Sequence, residues 1–122
     1  MLQTERDAPT GYPALASALW QQRATMQLLA EALAHGGDVP SALRDFRLGE
    51  VYRAAEVDEL ARTLGLPSDV TLAELATVSP EPWRTILTDH WDALQQLYTE
   101  ITARAAAANV RIWQQSLDDF LR

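Results

Sequence analysis

Apolar residues recur along this chain at helical steps. Leu15, Leu19, Gln22, Met26, Leu29 and Leu33 stand three or four apart, which predicts an amphipathic helix over about 14–35 with Gln22 as its polar interruption. Trp20 and Leu28 lie off that stripe. His35-Gly36-Gly37-Asp38 ends the run, because glycine takes the left-handed conformation that closes helices. Before it, Pro9, Gly11 and Pro13 break regular structure, so residues 1–13 read as a flexible N-terminal arm.

A second helix is predicted over about 41–64. Leu43, Phe46, Glu50, Arg53, Val57, Leu60 and Leu64 repeat like a heptad, with two charged residues at its centre. Gly49 weakens it by roughly 1 kcal/mol relative to alanine. Leu64-Gly65-Leu66-Pro67 is a strong stop. Thr71-Leu72-Ala73-Glu74 then has the form of a capping box, with Val70 and Leu75 placed for a hydrophobic staple, and starts a short connector helix over about 72–78. Ser79 and Pro80 read as N-cap and first residue of a last helix over about 80–121, with Pro82 tolerated in its first turn. Trp83, Leu87, His90, Leu94, Leu97, Ile101, Ala105, Ala108 and Ile112 form its inward stripe. The pattern contains no strand candidate. It predicts an all-α fold: an antiparallel bundle of long helices in a single domain, 14–122.

The last helix carries a second stripe. Ala103, Ala106, Val110, Trp113, Leu117 and Leu121 recur at three or four, largely opposite the first, where the preceding turns are polar. A helix over 80–121 would be about 60 Å long. A compact chain of this size is roughly 35 Å across. The end of the helix should therefore overhang its neighbours or fold back. Burying Val110, Trp113, Leu117 and Leu121 is worth at most about 1.5–3 kcal/mol each. Such a strip calls for a cover. The chain's own core, a homodimer seam, or another protein's amphipathic helix would each serve.

Charge narrows the partners. Ten basic residues, all arginine, face seventeen acidic ones, for a net charge of −7. An acidic surface repels phosphates, so neither nucleic acid nor an anionic membrane is expected as partner. With no cysteine, disulfides, thiolate metal sites and cysteine nucleophiles are excluded. The first residues lack the basic start and apolar run of a signal peptide. No run of eighteen apolar residues occurs. A soluble, cytoplasmic protein is expected.

Catalytic chemistry is hard to place, and no enzyme, metal or cofactor is expected. His90 lies on the apolar stripe and reads as a core or boundary histidine with a hydrogen-bonded ring, while His35 closes a helix, where a cation suits the dipole. Glu56, Asp58 and Glu59 read as a solvated face, and no phosphate loop, zinc-protease motif or nucleophile elbow is present. Residues 61–77 have the outline of a helix-turn-helix. However, the would-be recognition helix, Leu72-Ala73-Glu74-Leu75-Ala76-Thr77, offers no arginine, lysine, asparagine or glutamine to a base edge.

Ala54-Ala55-Glu56-Val57-Asp58-Glu59-Leu60, Leu64-Gly65-Leu66-Pro67, Thr71-Leu72-Ala73-Glu74-Leu75 and Pro80-Glu81-Pro82-Trp83 follow one another in the order found in FlgN-like flagellar export chaperones. The chain resembles that family over about 80 residues, through Asp89-His90, Ala93-Leu94 and Thr99-Glu100-Ile101, and again at Leu19-Trp20. It departs from the family in a shorter first hairpin around His35–Ser41. The resemblance implies a cytoplasmic type III export chaperone. Such a protein binds the helical C-terminal segment of a hook-associated filament-junction protein and keeps it unassembled until export. It further implies that the C-terminal helix binds the client, here through Ala103, Ala106, Val110, Trp113, Leu117 and Leu121. An aromatic near the C-terminus, Phe120 or Trp113, would touch the export gate, although no tyrosine lies there. Two other readings stay open: a helical dimerisation or adaptor module with no export role, and a helix-turn-helix protein. Monomer and homodimer are both compatible with the sequence.

Overall fold

A computed structural model describes residues 11–108. The fold is all-α: α1 (Gly11–His35), α2 (Val39–Thr63), α3 (Leu72–Val78) and α4 (Trp83–Ala107), with no strand among the described residues. The three long helices have 25 residues each, about 37 Å. α1 is the hub. It packs antiparallel to α2 and alongside α4, while α3 sits mainly on α4. α4 runs parallel to α1: Trp83 stacks on Tyr12 near their starts, and Arg104 reaches the carbonyl of Ala30 near their ends.

The core follows the predicted stripes. Leu15, Leu19, Met26 and Leu29 of α1 meet Phe46, Val57 and Leu60 of α2 and Leu87, Leu94 and Ile101 of α4, all buried. At the centre of the α1–α2 contact two polar residues replace the apolar pattern. Gln22 is fully buried and its Oε1 accepts a hydrogen bond from Arg53 Nε at 3.2 Å. Burial holds the Arg53 guanidinium below its ordinary pKa, against the opposing pull of Glu50 and Asp58. Gly49 has a steric use here: a Cβ on it would stand 3.3 Å from Thr25 Oγ1 and 3.6 Å from Gln22 Cα. Its helix-weakening effect is offset by a close approach of two backbones.

Helix ends are closed locally. Gly65 has φ 75, with its N–H bonded to Arg62 O, and Leu66 N–H reaches Ala61 O at 2.8 Å: the Schellman arrangement expected of the Leu-Gly-Leu-Pro stop. The capping box at α3 is complete, with Thr71 Oγ1 accepting from Glu74 N–H and Glu74 Oε1 accepting from Thr71 N–H.

Three boundaries differ from the sequence expectation. Gly11, Tyr12 and Pro13, expected in the N-terminal arm, belong to α1, with Tyr12 fully buried; residues 1–10 lie outside the described residues. Pro13 does not interrupt the helix, since a first-turn residue has no intrahelical N–H bond to lose. α2 begins at Val39, capped by Asp38, whose carboxylate accepts from Ser41 N–H, so Pro40 lies inside the first turn. Ser79 is not the N-cap of the last helix. It closes α3, donating from Oγ to Leu75 O at 2.6 Å and accepting from Tyr12 Oη at 2.7 Å. α4 starts three residues later than Pro80, at Trp83, after a cis Glu81–Pro82 peptide bond, with Pro82 at the N-cap position. α4 is described to Ala107; the expected stretch to 121, with its overhang, lies outside the described residues.

Candidate partner-binding surface

α4 shows its two sides clearly. Leu87, His90, Leu94, Ile101 and Ala105 are buried, with Trp83 and Leu97 partly so. Ala103 and Ala106, which open the second stripe, are exposed. The rest of the candidate client-binding strip, Val110, Trp113, Leu117 and Leu121, and the candidate gate contact Phe120 lie outside the described residues. Ala108, assigned to the inward stripe, is exposed at the helix cap.

A second apolar surface was not anticipated. Leu28 is 56% exposed, Leu48 63%, Val51 67% and Tyr52 56%. Leu48, Gly49 and Tyr52 of α2 and Gln21 and Thr25 of α1 line an open groove of about 430 Å³. Leu28 continues the Gln21–Thr25 row one turn further along α1. The signal was present in the sequence. Trp20 and Leu28 stand off the first stripe, and Leu48, Val51 and Tyr52 stand off the second. Each helix of the hairpin thus has apolar residues on an outer side as well as in the core. Gly49 deepens the groove floor, because it places no side chain between the two helices.

On the other flank of α1, Trp20, Arg23 and His90 form a cluster. The Trp20 ring meets His90 edge-on at 4.9 Å, and the Arg23 guanidinium lies 4.2 Å from the Trp20 ring centre. Arg23 Nη1 stands 3.2 Å from His90 Nδ1. A guanidinium can only donate, so Nδ1 accepts and the ring proton sits on Nε2. Burial, reinforced by the Arg23 charge, holds the His90 pKa below its ordinary value, over the opposing effect of Asp89. This histidine is neutral and largely enclosed, with one nitrogen occupied, as suits a structural residue.

Other chemistry is sparse. No group of three or more histidine, aspartate or glutamate side chains among the described residues is placed to hold a metal ion. The acidic run on α2 faces solvent at Asp58 and Glu59, and Glu59 pairs with Arg62. α3 buries Leu72, Leu75 and Ala76 and exposes Glu74, Thr77 and Val78, with no arginine, lysine, asparagine or glutamine to read a base edge bidentately. No helix among the described residues is long and apolar enough to cross a membrane. These features describe an all-α protein with exposed apolar residues along the outer side of its first hairpin. No protein-family model, curated protein or solved structure matches the chain.

Proposed function

We propose that the protein is a cytoplasmic chaperone of the FlgN-like type. In this reading it binds the helical C-terminal segment of a hook-associated protein and keeps it unassembled until type III export. The role is one of binding, not catalysis, and the client strip is Ala103, Ala106, Val110, Trp113, Leu117 and Leu121. The observation that supports it best is the exposure of Ala103 and Ala106 on the outer side of α4 while the inward stripe is buried. The sequence continues that outer period with larger apolar residues, as an amphipathic helix would require of its groove.

The test is a Trp113→Asp/Leu117→Asp variant, measured for binding to a helical client peptide and for thermal unfolding. Client binding should be lost, with a cooperative transition retained and its midpoint within a few degrees of the parent, as for surface substitutions. Collapse of the transition would assign the strip to the core instead. The exposed Leu28, Leu48, Val51 and Tyr52 favour one other reading, a helical dimerisation or adaptor module without an export role. A tight dimer whose mass does not change on dilution would select it.

A further inference from the structure

The groove on the outer side of the α1–α2 hairpin carries acid on one wall and no charge on the other. We propose that it binds a basic amphipathic helix of another protein: a segment of about three turns, apolar on one side, with lysine or arginine near both ends of that apolar run. The proposal goes beyond the client reading and does not rest on it, because the groove and the α4 strip share no residue.

The frame of the groove follows from the alignment of the hairpin. Arg53 bonds Gln22 and Gly49 lies against Thr25, so Tyr52 stands near the level of Gln21, Leu48 near Thr25 and Asp45 near Leu28. The α1 wall, Gln21, Thr25 and Leu28, is uncharged. The α2 wall reads Asp45, Leu48, Tyr52 and Glu56, spaced by three or four, so these four share one side of the helix. Asp45 is exposed and lines the groove, and Glu56, one turn beyond Tyr52, is half-buried. The two carboxylates stand eleven residues apart, roughly 16 Å, with the apolar stretch between them. Arg44, Arg47 and Arg62, exposed on α2, are turned about 100° or more round the helix from Asp45. Arg53 lies buried beneath the groove, bonded to Gln22, and cannot meet an incoming side chain.

An apolar floor between two acids fits one kind of occupant. Leu28, Leu48 and Tyr52, each more than half exposed, accept a leucine-type stripe. The acids at either end select cations beside that stripe and repel an acidic helix. The same carboxylates repel nucleic acid and an anionic membrane surface. They also work against a second copy. Laid antiparallel with Leu48 and Tyr52 matched, it would bring Asp45 of each chain next to Glu56 of the other, like charge on like. The groove is therefore open in the isolated protein and is covered only by a positively charged helix.

The test uses the full chain and two synthetic helical peptides with the same leucine stripe. One carries lysine at two positions eleven apart that flank the stripe, and the other carries glutamate there. Binding is read from the anisotropy of the labelled peptides, and thermal unfolding checks that each protein variant folds. The lysine peptide should bind at least about tenfold more tightly than the glutamate peptide, and the preference should shrink in high salt. Leu48→Asp should weaken that binding at least about tenfold. Asp45→Lys/Glu56→Lys should invert the preference, a result that a misfolded variant cannot give. Equal binding of the two peptides, or binding of neither, would overturn the proposal. So would a lysine preference that survives Asp45→Lys/Glu56→Lys, which would assign it to the net charge of −7 instead of the groove. Loss of the lysine peptide in Trp113→Asp/Leu117→Asp but not in Leu48→Asp would overturn it in favour of the α4 strip. A dimer of the isolated chain that Leu48→Asp dissolves would overturn it in favour of a second copy.

Discussion

The connector end of the bundle and the outer face of its hairpin use similar residues to opposite effect. At the connector end, Tyr12 is fully buried, stacked on Trp83 at 5.1 Å and hydrogen-bonded to Ser79, which in turn closes α3. Arg84 donates to the Ser79 carbonyl, so three segments converge on one serine. On the outer face of the hairpin, Tyr52, Leu28 and Leu48 are more than half exposed. An aromatic with partners on three sides stabilises the fold. One left beside a groove contributes little to it and is available to another chain.

The sharpest way to break this contrast is to truncate both ends of it. Tyr12→Ala should cost about 3–5 kcal/mol, the range for deleting a large buried aromatic, and lower the melting temperature by well over 10 °C in a domain of this size. A small loss, measured by denaturant titration, would mean that the connector end is not what holds the bundle.

His90, packed between Trp20 and Arg23, lies between the two regions and adds a pH dependence. Its folded-state pKa is below the ordinary 6.5 of the unfolded chain, so the unfolded state takes up the proton first. The stability associated with the neutral ring is fully present above 6.5 and declines as pH falls from there towards the folded-state pKa. Melting curves from about pH 8 to about pH 5 should show a drop in the parent that is shallower in His90→Gln, with His35 common to both. Equal slopes would mean that His90 is not desolvated.

The smallest effect belongs to the outer face. Leu48→Asp should change the stability of the described bundle by no more than about 0.5 kcal/mol, the range for exposed substitutions. A loss of several kcal/mol would show that a partner copy already covers Leu48.

What could be read in advance tracks the distance over which each signal acts. The Thr71–Glu74 box and the Leu64–Pro67 stop are complete within a few residues, and both stand where they were expected. The inward stripe of α4 was likewise legible from Leu87 to Ala105, because a 3.6-residue period is a local property. Tyr12 was not legible. It sits between Gly11 and Pro13, which locally argue for a loop, and its partners Ser79 and Trp83 are nearly seventy residues away. Ser79 misleads for the same reason: Ser-Pro has the form of a helix start, but its hydroxyl is engaged by Leu75 and Tyr12. The hairpin groove announces itself on α1 only through off-stripe Leu28, and its meaning requires knowing which α2 residues lie opposite. Of the proposed client strip, only Ala103 and Ala106 fall within the described residues, both on the expected outer side.

The buried Gln22–Arg53 pair has a consequence for assembly of the hairpin. Two leucine-rich helices can slide past each other by a full turn and still match grease to grease. With the Arg53 guanidinium at one depth and the Gln22 amide oxygen facing it, a slipped alignment would set both against leucine and lose that hydrogen bond. Gln22 and Arg53 thus act as a key and its ward: they add little adhesion, but they favour the one alignment of α1 and α2 in which they meet.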